Sequence, residues 1–132
     1  DPEKIHSFFN EDWPGVIRAK GFFWISSRPN FVGEVSQAGA FVRHQGIGKW
    51  WAAVNEEQWP DDKNFKLNIN KIWAKGYGDR RQEIVFIGLK NEMNESLIRD
   101  KLDGFLIKNY SINLANTLKF KDPFPGWFNN KE

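Results

Sequence analysis

The stretch from Val16 to Ser27 constrains this chain more than any other, because it alternates with a period of two between firm stops. Trp13-Pro14-Gly15 precedes it and Arg28-Pro29-Asn30 follows, both turn signals. Successive side chains of a strand point to opposite sides. One side here carries Ile17, Ala19, Phe23 and Ile25, with Gly21 among them, and is expected in the core. The other carries Arg18, Lys20, Phe22 and Trp24, a mixed basic and aromatic face. Burying two cations requires partners for both, whereas leaving two large rings in water exposes apolar area for no gain. This second face is therefore expected to meet another surface. The alternative cover is the chain's own tail, with Phe124 and Trp127 folding back over the rings.

The remaining segments supply helices and further strands. Asp1-Pro2 reads as an N-cap and first helical residue, and Ile5, Phe8 and Phe9 fall at helical spacing, predicting a helix over residues 2–11. Residues 32–45 read as one or two strands interrupted near Gly39. Gly46-Ile47-Gly48 is expected to make a tight connection into a strand over Trp50–Val54. Phe65, Ile69, Ile72 and Trp73 predict a second helix, stopped by Gly76-Tyr77-Gly78. Residues 81–89 read as a buried strand, with Ile84-Val85-Phe86-Ile87 continuously apolar. Asn94 is placed to cap a third helix carrying Leu97, Ile98, Leu102, Phe105 and Leu106. Residues 122–127 are Pro-rich and expected to lie extended against the body. Helix, antiparallel strands, helix, strand, helix is an α+β order, most simply a two-layer sandwich: a mainly antiparallel sheet with helices on one face. A length of 132 residues makes residues 1–132 a single domain.

Charge and residue usage exclude several chemistries. With 19 basic and 17 acidic residues interleaved, the net charge of +2 gives no strong pull toward nucleic acid or anionic lipid. The basic-aromatic strand could stack bases, but no RNP-like motif accompanies it, so nucleic acid is disfavoured. No apolar run reaches the length of a membrane span, so no membrane partner is expected. With 0 Cys, neither disulfides nor thiolate metal sites exist within the chain. His6 and His44 are the only imidazoles, read as two ordinary, partly exposed side chains on separate elements, too few for a tight zinc site. Gly46-Ile47-Gly48-Lys49 has a superficial likeness to a phosphate loop, but lacks its spacing and the Ser or Thr after the Lys. Ser26, Ser27 and Ser36 lie in no nucleophile motif, and the carboxylate pairs Glu56-Glu57 and Asp61-Asp62 sit in a polar loop. No catalytic residue is singled out.

Specific blocks say more. Residues 15–24 (GVIRAKGFFW), 36–39 (SQAG), 50–54 (WWAAV), 78–88 (GDRRQEIVFIG) and 122–125 (DPFP) resemble, in the same order, the C-terminal domain of the CobW family of P-loop GTPases. The 78–88 block is the most specific of these, and the resemblance covers nearly the whole chain, nearer the zinc-responsive branch than the cobalamin-synthesis one. It implies a fragment of a two-domain cytoplasmic protein. The N-terminal GTPase domain of that parent would hold GTP, magnesium and a Cys-rich site for zinc or cobalt, and this fragment none of them. The implied partners are that GTPase domain and a client metalloprotein, and the implied role is regulation or protein interaction in metal trafficking rather than catalysis. A free-standing ligand- or nucleic-acid-binding module is the alternative. The expected docking surface comprises Arg18, Lys20, Phe22 and Trp24, with Arg80 and Arg81 at the entry to the fourth strand. An ion pair of these cations with Glu34 or Glu83 is the competing, purely structural role.

Overall fold

The computed structural model describes residues 1–128, with the backbone alone at positions 114 and 115. In chain order the regular elements are α1 (Pro2–Phe9), β1 (Val16–Phe23), β2 (Phe31–Ala38), β3 (Phe41–Lys49), α2 (Lys63–Ile72), β4 (Glu83–Gly88), α3 (Glu95–Gly104) and α4 (Leu114–Leu118). Short 3-10 turns at Trp51–Ala53 and Glu56–Gln58 separate β3 from α2.

The four strands form one open sheet in the order β3-β2-β1-β4, every neighbouring pair antiparallel. The fold is therefore α+β, as the order of sequence signals implies. Capping sets the helix starts. The Asp1 carboxylate accepts the Lys4 N–H at 3.1 Å, Asp62 accepts from Asn64 and Phe65, and Asn94 accepts the Leu97 N–H at 3.0 Å. Gly104 is the last residue of α3, where it costs little of what it would in a helix interior.

The core lies on one face of the sheet. Ile5 and Phe9 from α1 pack with Phe23, Ile25, Val35 and Phe124, and Trp13, Val42, Ile84, Phe105 and Trp127 close around them. Residues 122–127 cross this inner face as a strap. Phe124 lies 5.9 Å from the Phe23 ring, and Trp127 lies edge-on to Phe23 at 6.1 Å. Trp127 sits so close over Gly46 that a β-carbon there would fall 2.5 Å from the Trp127 Cβ. The strap is tied to the β1–β2 turn by Arg28. Its guanidinium donates to both Asp122 oxygens, at 2.7 and 3.2 Å, and to the Phe124 and Pro125 carbonyls, both at 2.8 Å.

Several expectations are corrected. Ile17 is not in the core: the pairing of β1 with β4 slips between Val16 and Arg18, and this bulge buries Val16 while turning Ile17 out to 49% exposure. Gly46-Ile47-Gly48 is no turn but part of β3, which runs on to Lys49 opposite Phe31. Trp50–Val54 is then a turn rather than a strand, because Asp79 holds it: its carboxylate accepts the Trp51 N–H at 3.0 Å and the Ala52 N–H at 2.9 Å. Around this clamp Trp51, Trp59, Phe65 and Trp73 make their own ring cluster, with centroids 5.0 to 6.1 Å apart. Finally, β4 is not buried on both faces. Ile84 and Phe86 point inward, but Val85 is 62% and Ile87 56% exposed.

Candidate functional site

The outer face of the sheet is built from residues in register across all four strands. Phe41, Ala38, Arg18 and Ile87 form one row; Arg43, Ser36, Lys20 and Val85 the next; Gln45, Glu34, Phe22 and Glu83 the third. The first two rows hold three cations and no carboxylate. Arg18, Lys20 and Arg43 are exposed, as are Phe41, Val85 and Ile87. Neither Arg18 nor Lys20 has an ion-pair partner among the described residues, Glu34 and Glu83 included. The face is thus apolar and cationic together, an arrangement suited to a protein surface that offers carboxylates around an apolar centre.

The third row is where the sheet becomes covered. Phe22 meets the Trp50 ring at 6.0 Å, and the Arg81 guanidinium lies 4.7 Å above the Phe22 ring. Trp24, just past the end of β1, packs against Tyr77 at 6.0 Å and Tyr110 at 5.5 Å. Both rings are half-buried. The tail does not cover them; Phe124 and Trp127 lie on the opposite face, against Phe23.

Arg80 and Arg81 stand away from Arg18 and Lys20. The Arg80 Nε donates to the Pro29 carbonyl, and its terminal nitrogens to the Tyr77 carbonyl at 3.0 Å and the Asn30 side-chain oxygen at 3.3 Å. Burial pushes its pKa down, with Asp79 and Tyr110 opposing. Arg81 donates to the Asp79 carbonyl at 3.0 Å. The six residues singled out from the sequence therefore separate into an exposed pair, Arg18 and Lys20, and a half-buried group, Phe22, Trp24, Arg80 and Arg81. Arg43, Phe41, Val85 and Ile87 complete the exposed patch, and sequence reasoning missed them. Their alternation along β3 and β4 carries the signal, once the register of both strands with β1 is known.

His6 and His44 do come together, contrary to the reading as separate side chains. Their rings are 5.9 Å apart, with Phe124 against both and Phe9 stacked on His44 at 5.5 Å. Burial lowers the His44 pKa, and His6 lowers it further. Among the described residues no group of three or more His, Cys, Asp or Glu side chains is placed to hold a metal ion. No helix of the described residues is long and apolar enough to cross a membrane.

The chain is 38% identical over 113 residues to a zinc-regulated GTPase metalloprotein activator of Dictyostelium discoideum, an alignment covering 86% of this chain and 22% of the relative. It is 27% identical over 107 residues to a zinc chaperone of Mycobacterium tuberculosis, covering 75% of this chain and 27% of that protein. The chain thus spans about a quarter of the length of these relatives. No solved structure matches it significantly. Residues 1–106 match the family model of the cobalamin synthesis protein cobW C-terminal domain, and this chain belongs to that family.

Proposed function

We propose that this chain is the regulatory, protein-interaction part of a CobW-type GTPase engaged in zinc or cobalt trafficking, and that it works by docking rather than by catalysis. One relative is named a zinc-regulated GTPase metalloprotein activator and another a zinc chaperone. Their greater length leaves room for a nucleotide-binding domain outside the region matched here. In this reading GTP, magnesium and the metal are held by that domain, the whole protein acts in the cytoplasm, and a client metalloprotein is the eventual recipient. Residues 1–132 are the single docking domain.

The observation that carries the reading is the exposed outer sheet face. Three cations and three large apolar side chains lie in adjacent rows with no ion pair drawing on Arg18 or Lys20. Val85 and Ile87 supply the apolar anchor; Arg18, Lys20 and Arg43 select a carboxylate-bearing surface and set the approach. The GTPase domain of the same protein is the occupant proposed. Phe22, in the third row, and Trp24, just past β1, flank this patch and are packed against Trp50, Arg81, Tyr77 and Tyr110.

The test is charge reversal in the full-length parent, Arg18→Glu with Lys20→Glu. Domain association, measured by titrating the separated GTPase portion onto the 132-residue chain, is expected to weaken by about tenfold or more. The GTPase rate of the intact protein should shift with it. Unchanged association, nucleotide affinity and GTPase rate, with only stability altered, would show that this face is structural.

A further inference from the structure

We propose that the chain also carries a pocket for a small organic anion with a planar body, separate from the sheet face and independent of the docking proposal. The pocket is a cavity of about 750 Å3 between the end of β1, the segment after Gly76 and the end of α3. That volume lies within the ordinary range for small-molecule sites. Trp24, Ser26 and Ile84 contribute from the sheet side, Tyr77, Arg80 and Arg81 from the 76–82 segment, and Leu106 from beyond α3.

The aromatic walls are fixed in advance. Tyr77 donates its hydroxyl to the Tyr110 carbonyl, and Tyr110 donates its own to the Ser26 carbonyl at 2.6 Å. Trp24 packs against both rings. A flat ligand entering here meets rings already in place and orders little on binding.

The polar groups specify the sign of the ligand's charge. Among the described residues, the Arg80 guanidinium donates to neutral oxygens, those of Pro29, Tyr77 and Asn30. Arg81 has a carbonyl and the face of a ring. Neither guanidinium has a carboxylate within ion-pair distance among the described residues, and both are half-buried. Both arginines line one cavity without an ion-pair partner among the described residues, the buried Asp79 acting on Arg80 only from a distance, and such a pair favours an anion with a forked oxygen pair. The cavity's acidic residues do not neutralise the arginines. Asp103 and Glu83 are exposed, and the Asp1 carboxylate caps α1.

The experiment titrates the isotopically labelled 132-residue chain with phenyl phosphate, benzoate and, as the neutral control, benzyl alcohol, following the Trp24 indole N–H and the Tyr110 amide by NMR. Both anions are expected to saturate these signals, at least one of them with an affinity about tenfold or more above that of benzyl alcohol. A preference for phenyl phosphate assigns a phosphate-bearing ligand, and a preference for benzoate a carboxylate. Arg81→Gln should remove the anion advantage while leaving benzyl alcohol's affinity in place. Leu106→Trp, at an exposed position, should block all three probes with signals elsewhere unchanged. Equal affinity for the neutral and anionic probes would overturn the proposal. So would the absence of saturation, or anion-induced shifts centred on Arg18, Lys20 and Arg43.

Discussion

Arg28 is the residue whose loss should most disturb this fold without touching its apolar core. It makes four hydrogen bonds to the strap, two of them to the Asp122 carboxylate, and its guanidinium stacks 4.7 Å from the Trp127 ring. The pair is mostly removed from water, with side-chain exposures of 13% and 19%. In Arg28→Met the stem remains and all donors vanish. Asp122 is then left with the Ser27 hydroxyl at 2.6 Å and the Phe124 N–H at 2.9 Å. Removing one partner of a well-buried pair costs about 3–5 kcal/mol. The residual donors and remaining water contact reduce this, so the expected loss is about 2–3 kcal/mol, or roughly 8–12 °C in Tm. Urea unfolding followed by Trp fluorescence measures it, with an unchanged m-value confirming that the whole domain still unfolds together. Asp122→Asn added to Arg28→Met should cost clearly less than the two single changes summed, because the second removes the orphaned charge left by the first. An Arg28→Met variant within about 0.5 kcal/mol of the parent, or strictly additive single changes, would refute the view of the strap as latched by this pair.

Two further outcomes follow from buried polar groups. Because the folded state holds the His44 pKa below its ordinary value near 6.5, the unfolded chain binds the proton first. The contribution of His44 to stability is therefore full above about pH 6.5 and is lost as the solution is acidified below it. Comparing Tm at about pH 7.5 and about pH 5.5 should show the drop, and His44→Leu should flatten it; an equal drop in the variant sinks the assignment. Asp79→Ala should leave the Trp51 and Ala52 N–H groups without their carboxylate and cost about 2–4 kcal/mol, whereas Asp79→Asn, keeping one acceptor, should cost about half as much. Near-zero loss in the alanine variant, read by thermal unfolding, counts against the clamp.

What the sequence made legible is what local chemistry decides. Asp1 and Asn94 announce helix starts through their own side chains, and α1 lies where its apolar spacing put it. Gly39 marks the β2–β3 turn, its positive φ of 60° being the conformation that glycine adopts freely. The readings that failed depend on a neighbour. Ile17 faces out because β4 forces a bulge, and nothing within β1 records that. Val85 and Ile87 look like core because apolar runs usually are, yet no element among the described residues covers that side of β4. Gly46 reads as a turn glycine, while its real role is to make room for Trp127 from the far end of the chain. The site divides in the same way. Alternation alone found Arg18 and Lys20, but Arg43 and Phe41 join them only through the β2 register. Arg80 and Arg81 read from the sequence as part of the docking surface, and only the fold shows that they line a cavity apart from the exposed rows of the sheet.

The strap also sets an order of events when the protein is made. Ile5 and Phe9 share a cluster with Phe124, so the core joins residues synthesised early in this domain to residues synthesised late in it. While the strap is still inside the ribosome, β1 and β2 can pair, yet the inner side of Phe23 and Val35 lacks its final cover and Arg28 lacks Asp122. The nascent domain must therefore wait, with greasy surface showing, until the Asp-Pro-Phe-Pro segment emerges. Such a chain depends on chaperone protection during translation more than one whose contacts are mostly local. A stop codon just ahead of residue 122 should yield an aggregating product, even though every strand of the sheet has already been made.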